Sequence, residues 1–200
     1  MTSRKIVLGT KNKDKLRELQ SLMKGTKIQV LSLADFPHCP EAHENGRTFE
    51  ANARKKARAY SRHTEMLTLA DDSGLMVNAL NGKPGVYSAR FAGPRCTYQD
   101  NNRKILSLLK NKPASKRVAK FVSVIAIYEN GKFIKAVKGE CRGRIAFSGR
   151  GQNGFGYDPV FIPNGFSKTF AELPRAAKNK ISHRGKALNK AKEVILKYLQ

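Results

Sequence analysis

Acidic residues are scarce in this chain. Asp and Glu total 15 against 39 Lys and Arg over 200 residues, a formal net charge of +24 with a pI near 10.3. A surplus of that size points to polyanions or phosphorylated small molecules as partners. Cysteine is equally sparse. Cys39, Cys96 and Cys141 are odd in number and form no C-x-x-C pair, which excludes a disulfide framework or a zinc ribbon. No apolar run reaches the ~18 residues needed to cross a membrane. The start, MTSRKIVLGT, runs straight into a strand-like segment without the apolar core of a signal peptide, so a cytoplasmic setting is expected. Also missing are a G-x-x-x-x-G-K-[ST] phosphate loop and a G-x-S-x-G nucleophile elbow. None of the three cysteines has a nucleophile's surroundings. Aromatics make up only 8%, with no RNP or zinc-finger pattern. A basic nucleic-acid-binding module would thus have charge but no element to read bases.

What is present describes an ordinary globule, 40% hydrophobic and 27% charged. A chain this long buries roughly 70% of its unfolded surface, as one domain or two lobes with a shared core. Basic residues recur along the whole chain, and no internal repeat or low-complexity linker marks a boundary. Arg4–Gly9 reads as a buried strand. Leu16, Leu19, Leu22 and Met23 then fall on one helical face, with Thr10 or Asn12 as cap and Gly25 as stop. Ile28–Leu33 reads as a second strand. A helix follows Thr48, with Glu50 and Asn52 in its first turn. Leu67–Ala70 reads as a short strand that ends in a bend at Asp71–Gly74, with extended chain resuming over Leu75–Leu80. Tyr98–Lys110 has helical spacing. Val118–Tyr128 is apolar on both faces, and Asn130-Gly131 signals a hairpin into Lys132–Lys138. A last amphipathic helix begins near Ser182. The pattern predicts an α/β fold with a mixed sheet.

Four segments carry candidate chemistry. Thr10, Lys11, Asn12, Lys13, Asp14 and Lys15 lie where a strand turns into a helix, a natural seat for phosphate oxygens. The competing reading is a capped helix with a solvated basic first turn. Asp71-Asp72-Ser73-Gly74 offers two carboxylates that could hold Mg²⁺, or simply an Asp-rich turn. Alternation along extended chain would turn only one of the two aspartates to a given site. Gly149–Pro159 contains G-x-G-x-x-G, but Pro159 and the lack of a following helix exclude a dinucleotide fingerprint. Its Phe155 and Tyr157, set between glycines, suit a base-stacking wall. Lys178 to Gly185 brings His183 and Arg184 to the start of the last helix, where Arg supplies a planar donor fork. Glu44 and Glu50 are further acids, each as readily explained by solvation. Separately ambiguous, the four segments together point to a nucleotide.

The order of these segments resembles the inosine/xanthosine triphosphate pyrophosphatase family, the Ham1-like enzymes. The likeness runs from Ile6 to about Leu188. It rests on T-x-N-x-x-K-x-x-E (Thr10, Asn12, Lys15, Glu18), T-F-E-x-N-A-x-x-K-A (Thr48 to Ala57), LADDSGL (Leu69 to Leu75), NGKPGVYSARFAG (Asn81 to Gly93), NGFGYDPVF (Asn153 to Phe161) and SHRG (Ser182 to Gly185). The resemblance implies one Ham1-like domain over residues 1–200, a long mixed sheet with two lobes and a nucleotide cleft between them, and a homodimer. It implies Mg²⁺-dependent cleavage of dITP, ITP and XTP to the monophosphate and pyrophosphate. By the same likeness Thr10–Lys15 would hold the triphosphate. Asp72 would be catalytic and a metal ligand, and Glu44 a second metal-side acid. Ser73, Phe155, Gly156, Tyr157, Asp158, Lys178, His183 and Arg184 would contact the nucleotide. A Maf-like pyrophosphatase is the alternative, opposed by the F-G-Y-D loop and the S-H-R segment. The chain departs from the family pattern in two ways. Asn153 stands where a glycine is expected, and +24 exceeds the family's usual charge. Weak nucleic-acid binding at low salt is expected from that surplus.

Overall fold

Strand β1 (Arg4–Leu8) is apolar in Ile6, Val7 and Leu8, all buried, as a strand covered on both faces must be. A computed structural model of the chain describes residues 4–200. In it β1 pairs in parallel with β2 (Ile28–Ser32), Ile6 opposite Val30, and with β3 (Leu67–Val77), Val7 opposite Thr68. Helix α1 (Lys13–Met23) connects β1 to β2, as parallel pairing requires. Asn12 is its cap: the side-chain oxygen accepts from the amides of Asp14 at 2.8 Å and Lys15 at 3.3 Å. Helix α2 (Phe49–Thr64) starts at Thr48, whose hydroxyl accepts from the Ala51 amide. Its buried residues include Phe49, Asn52, Ala53, Lys56, Ala57 and Tyr60, so helical spacing carries Asn52 and Lys56 inward with the apolar ones.

Helix α3 (Tyr98–Leu108) precedes the long strands β4 (Val118–Glu129) and β5 (Lys132–Ile145). The turn joining them has positive φ at both Asn130 and Gly131, the backbone that a two-residue hairpin demands. Strand β6 (Phe161–Pro163) pairs antiparallel with β5, and helices α4 (Arg175–Ile181) and α5 (His183–Tyr198) end the chain. The six strands are ordered β2-β1-β3-β4-β5-β6. Parallel and antiparallel pairs coexist, so the sheet is mixed, as the sequence pattern predicts.

Two compact units divide the chain. One comprises the described residues up to Asp72 with Ser123–Gly139 and Gly185–Gln200. Its core gathers Ile6, Leu8, Leu19, Leu69, Ile125, Ile127, Ala191 and Ile195. The other comprises Ser73–Val122 and Glu140–Arg184, around Leu75, Ile105, Leu109, Phe121, Phe161 and Phe170.

Three elements differ from the sequence reading. Leu67–Val77 is one unbroken strand, where a bend was expected at Asp71–Gly74 and extended chain up to Leu80. Both aspartates are buried, and side chains elsewhere in the chain satisfy them, so neither folds back to cap a turn. Strand β5 continues to Ile145 instead of stopping near Lys138, and its last residues alternate buried and exposed. Helix α4 has no counterpart in the sequence reading. It begins after Pro174 and is only 7 residues long, too short to set up an apolar period.

Candidate active site

The first unit collects carboxylates and lysines at the end of its share of β3. Asp71 is 5% exposed, and both its oxygens accept from Lys15 Nζ at 2.8 Å. Asp72, 7% exposed, accepts a hydrogen bond from Asn52 Nδ2 at 3.0 Å. The Asn52 side-chain oxygen in turn accepts from the Gly46 amide at 2.7 Å, tying down the segment that carries Glu44. Glu44 pairs with Lys56 Nζ at 3.0 Å. Asn52 and Lys56 reach these acids because they stand four residues apart on the buried stripe of α2.

Electrostatics here pull in opposite directions. Burial, the largest influence on Asp72, pushes its pKa above the usual carboxylate value. Lys56 and the Asn52 hydrogen bond oppose that push, while the negative charges of Glu44 and Asp71 add to it. For Lys56 burial acts first and disfavours the charge, yet Asp71, Glu44 and Asp72 outweigh it and raise its pKa. The result is a buried cation shared by three acids.

The predicted phosphate segment is partly self-satisfied. Thr10 Oγ1 accepts from the Asn12 amide at 3.1 Å, and Asn12 takes the amides of Asp14 and Lys15. Those three N–H groups are therefore engaged within the turn. Lys11 and Lys13 are exposed. Asp14 pairs with Arg17 at the surface. Lys15 alone of the six is bound directly into the Asp71–Asp72 cluster.

The second unit holds the predicted base-side residues. Asp158 Oδ2 accepts from the Phe155 amide at 2.8 Å and, buried, from Lys178 Nζ of α4 at 2.5 Å. Gly154, at φ +77°, lies against that same carboxylate and ammonium, and a Cβ there would collide with the carboxylate and crowd the ammonium. The Phe155 ring has Lys178 Nζ at 5.1 Å and Arg184 Cζ at 5.1 Å, two cations within range of its face. Arg184 also donates from Nη2 to Ser73 Oγ at 3.2 Å. His183 lies flat on Phe121, ring centroids 4.5 Å apart and planes 9° from parallel, which fixes its orientation. Gly156 and Tyr157 act through the backbone and core. The Gly156 carbonyl accepts from Asn102 Nδ2, and Tyr157 hydroxyl, buried and with its pKa raised by that burial, donates to the Ser88 carbonyl. Asn153, in place of a glycine, anchors the loop through its amide on the Ala171 carbonyl.

Asn52, Lys56, Asn102 and Phe121 were not singled out as site residues by sequence. For Asn52 and Lys56 a signal existed: two polar residues on the apolar stripe of α2. Asn102 and Phe121 gave none, since an Asn on a helix and a Phe in a strand are unremarkable until their neighbours are known.

Among the described residues no group of three or more His, Cys, Asp and Glu gathers as a ready metal cage. The donors nevertheless suit magnesium. It takes oxygen ligands, keeps several waters, and is usually held by one or two carboxylates together with substrate phosphates. The charge of Glu44 raises the cost of ionising Asp72, which a cation would relieve.

Similarity to known proteins covers nearly the whole chain. The family model described as "Ham1 family" matches residues 6–194. A protein of Desulforamulus reducens named dITP/XTP pyrophosphatase is 51% identical over 191 residues, 96% of this chain and 95% of its own. One of the same name from Geobacter sulfurreducens is 48% identical over 184 residues, 92% of each chain. Among solved structures, a HAM1 protein from Coxiella burnetii superposes with a TM-score of 0.88 at 40% identity, covering 97% of this chain and 99% of that one. The Staphylococcus aureus Ham1 protein gives 0.88 at 36%, covering 98% and 100%. A match of this extent, with sequence segments and fold agreeing from β1 to α5, makes this chain a member of the Ham1 family.

Proposed function

We propose that this chain is a pyrophosphatase for non-canonical purine nucleoside triphosphates, dITP, ITP and XTP, yielding the monophosphate and pyrophosphate. The observation that carries the reading is the buried acid–lysine cluster of the first unit, Asp72 on Asn52 with Lys56 among Glu44, Asp71 and Asp72. Asp72 belongs to the buried acid–lysine cluster, and its immediate neighbour Ser73 is bound by Arg184 of the aromatic and cationic set. Relatives about half identical over nearly their full length bear the name of this activity. The reading treats residues 1–200 as one catalytic domain, working in the cytoplasm as a homodimer.

The chain's own groups have separable tasks. Lys15, Lys11 and Lys13, with Thr10 and Asn12 shaping the turn, bind the triphosphate oxygens. Asp72 accepts the proton of the attacking water, a task that suits a carboxylate whose pKa burial has raised. Asn52 holds Asp72 in place, and Lys56 pairs with Glu44 beside it. Magnesium, held by Asp72 and Glu44 with the substrate phosphates, would neutralise phosphate charge and acidify water. On the base side, Phe155 stacks the purine while Lys178, His183 and Arg184 offer donors to its edge.

Base choice is the test. A 6-keto purine presents an acceptor at position 6 and a donor at N1, and adenine reverses both. Buried donors facing a 6-amino group stay unpaired at about 1–3 kcal/mol each, enough for discrimination of ~10²-fold or more. Steady-state kcat/KM for ITP should therefore exceed that for ATP by at least this factor. Values within about tenfold of each other would defeat the assignment. GTP, which keeps the 6-keto edge and adds a 2-amino group, should fall between them.

A further inference from the structure

A cavity of about 370 Å³ lies in the second unit. Its walls include Arg117, Arg144, Arg150, Phe147, Ser148 and Ser167, and no acidic side chain lines it. None of these six residues belongs to the site described above. The volume is on the scale of small-ligand pockets.

Arg117 is the unusual member. It is 1% exposed, yet no carboxylate among the described residues pairs with it. Its guanidinium donates to four backbone carbonyls instead. Nε reaches Ile145 at 3.0 Å. Nη1 reaches Leu109 at 2.6 Å and Lys112 at 3.4 Å, and Nη2 reaches Ala146 at 2.7 Å. A guanidinium has five donor hydrogens, so one on Nη2 has no protein acceptor. Carbonyl dipoles satisfy hydrogen bonds but do not cancel a unit charge, and a buried charge ordinarily has a counter-charge.

The other two arginines differ in charge balance. Arg150 donates from Nη2 to the Ser167 carbonyl, and its Nε lies 3.4 Å from Glu172 Oε2, so its charge is offset. Arg144 is exposed and has no ion pair or side-chain hydrogen bond among the described residues. Two positive charges therefore remain, matching a phosphate dianion. Phe147 supplies the aromatic element. One face of its ring lies against Arg117, 4.5 Å from Cζ to centroid, yet the residue is 67% exposed, which leaves the opposite face open to stacking.

We propose that this cavity is a second nucleotide seat, binding the phosphate of a nucleoside monophosphate on Arg144 and the remaining Nη2 hydrogen of Arg117, with the base stacked on Phe147. A phosphate on a planar donor fork with an aromatic floor is a recurrent way of holding nucleotides. The inference stands apart from the proposed hydrolysis, whose residues it does not share.

Calorimetric titration of the full chain near physiological salt tests it, using AMP, adenosine, inorganic phosphate and a short single-stranded oligonucleotide as probes. AMP is chosen because its 6-amino edge is the one the proposed substrate lacks. The parent protein should bind AMP more tightly than phosphate, and adenosine at least about tenfold more weakly than AMP, since the phosphate carries the charge. Arg144→Ala should weaken AMP binding about tenfold or more, and Phe147→Ala severalfold, a stacking loss. Both residues are at the surface, so both variants should fold and keep ITP hydrolysis unchanged. Absence of AMP binding by the parent, or an unchanged affinity in Arg144→Ala, overturns the proposal. An oligonucleotide that binds through these residues about tenfold more tightly than AMP overturns it in favour of a strand-binding surface.

Discussion

Asp72 is the residue on which the most chemistry converges. Replacing it by Asn keeps its size and its contact with Asn52 but removes the charge that accepts a proton and holds a cation. Turnover of ITP should fall about 10²–10⁴-fold, the usual cost of a lost general base. Turnover within about tenfold of the parent would move the role to another acid. Asp71 would be a weak successor, because Lys15 already occupies both its oxygens. Asn52 offers a subtler test. Asn52→Ala leaves Asp72 charged but removes the hydrogen bond that opposes the rise in its pKa, so the acidic limb of the rate–pH profile should move to higher pH. A profile that does not move, with merely lower rates, would make Asn52 structural only. At this scale the sequence was most readable where residues of unlike chemistry stood side by side, as in Asp71-Asp72-Ser73 or His183-Arg184. It was least readable where function depends on a partner far along the chain. Nothing near Lys15 announces Asp71, and nothing near His183 announces Phe121, because such pairings come from strand order and helix packing.

Elements were legible where one local signal sufficed. Asn12, Thr48 and Asn130-Gly131 mark their helix starts and their turn by side-chain chemistry and backbone preference alone, and the structure uses all three. β3 was misread because two adjacent aspartates are themselves a turn signal. That signal fails here since Lys15 and Asn52 answer the carboxylates from other elements. Helix α3 permits a direct test of local chemistry. Its capping box joins Thr97 and Asp100, and the hydrogen bonds from Thr97, first the hydroxyl and then the amide, with Arg103 beside them, hold the Asp100 pKa down to about 2. A carboxylate whose folded pKa lies below its unfolded value of 3.8 stabilises the fold above that value and loses the contribution as pH falls towards 2. Asp100→Ala should accordingly lower the melting temperature at pH 7, and the difference between variant and parent should shrink as the pH falls from 4 to 2. A difference that stays constant over that range would mean that the charge of Asp100 contributes nothing to the cap.

Across the whole molecule the surplus of +24 is the property that membership of the family leaves unexplained. Many of the few acids are already engaged: Asp71, Asp158, Glu44, Glu140, Glu172 and Asp100 each pair with a lysine or arginine. Along the sequence the remaining cations recur on the helices and the β4–β5 hairpin rather than in one run. Several are held by backbone oxygens instead of acids, as Lys190 is by the Lys138 carbonyl and Lys192 by that of Leu22. A dispersed field of this kind attracts any polyanion without reading its sequence. Such binding depends on counterion release and should weaken about 10³–10⁵-fold between roughly 50 and 200 mM salt for six to ten phosphate contacts. ITP turnover should decline far less over the same range, because groups as buried as Asp72 and Lys56 are screened little by bulk ions. Labelled random and structured oligonucleotides titrated against salt, beside ITP kinetics, separate the two behaviours. Tight binding of one sequence above all others near physiological salt would contradict the dispersed field, since charge scattered over several helices and the β4–β5 hairpin has no means of choosing a base.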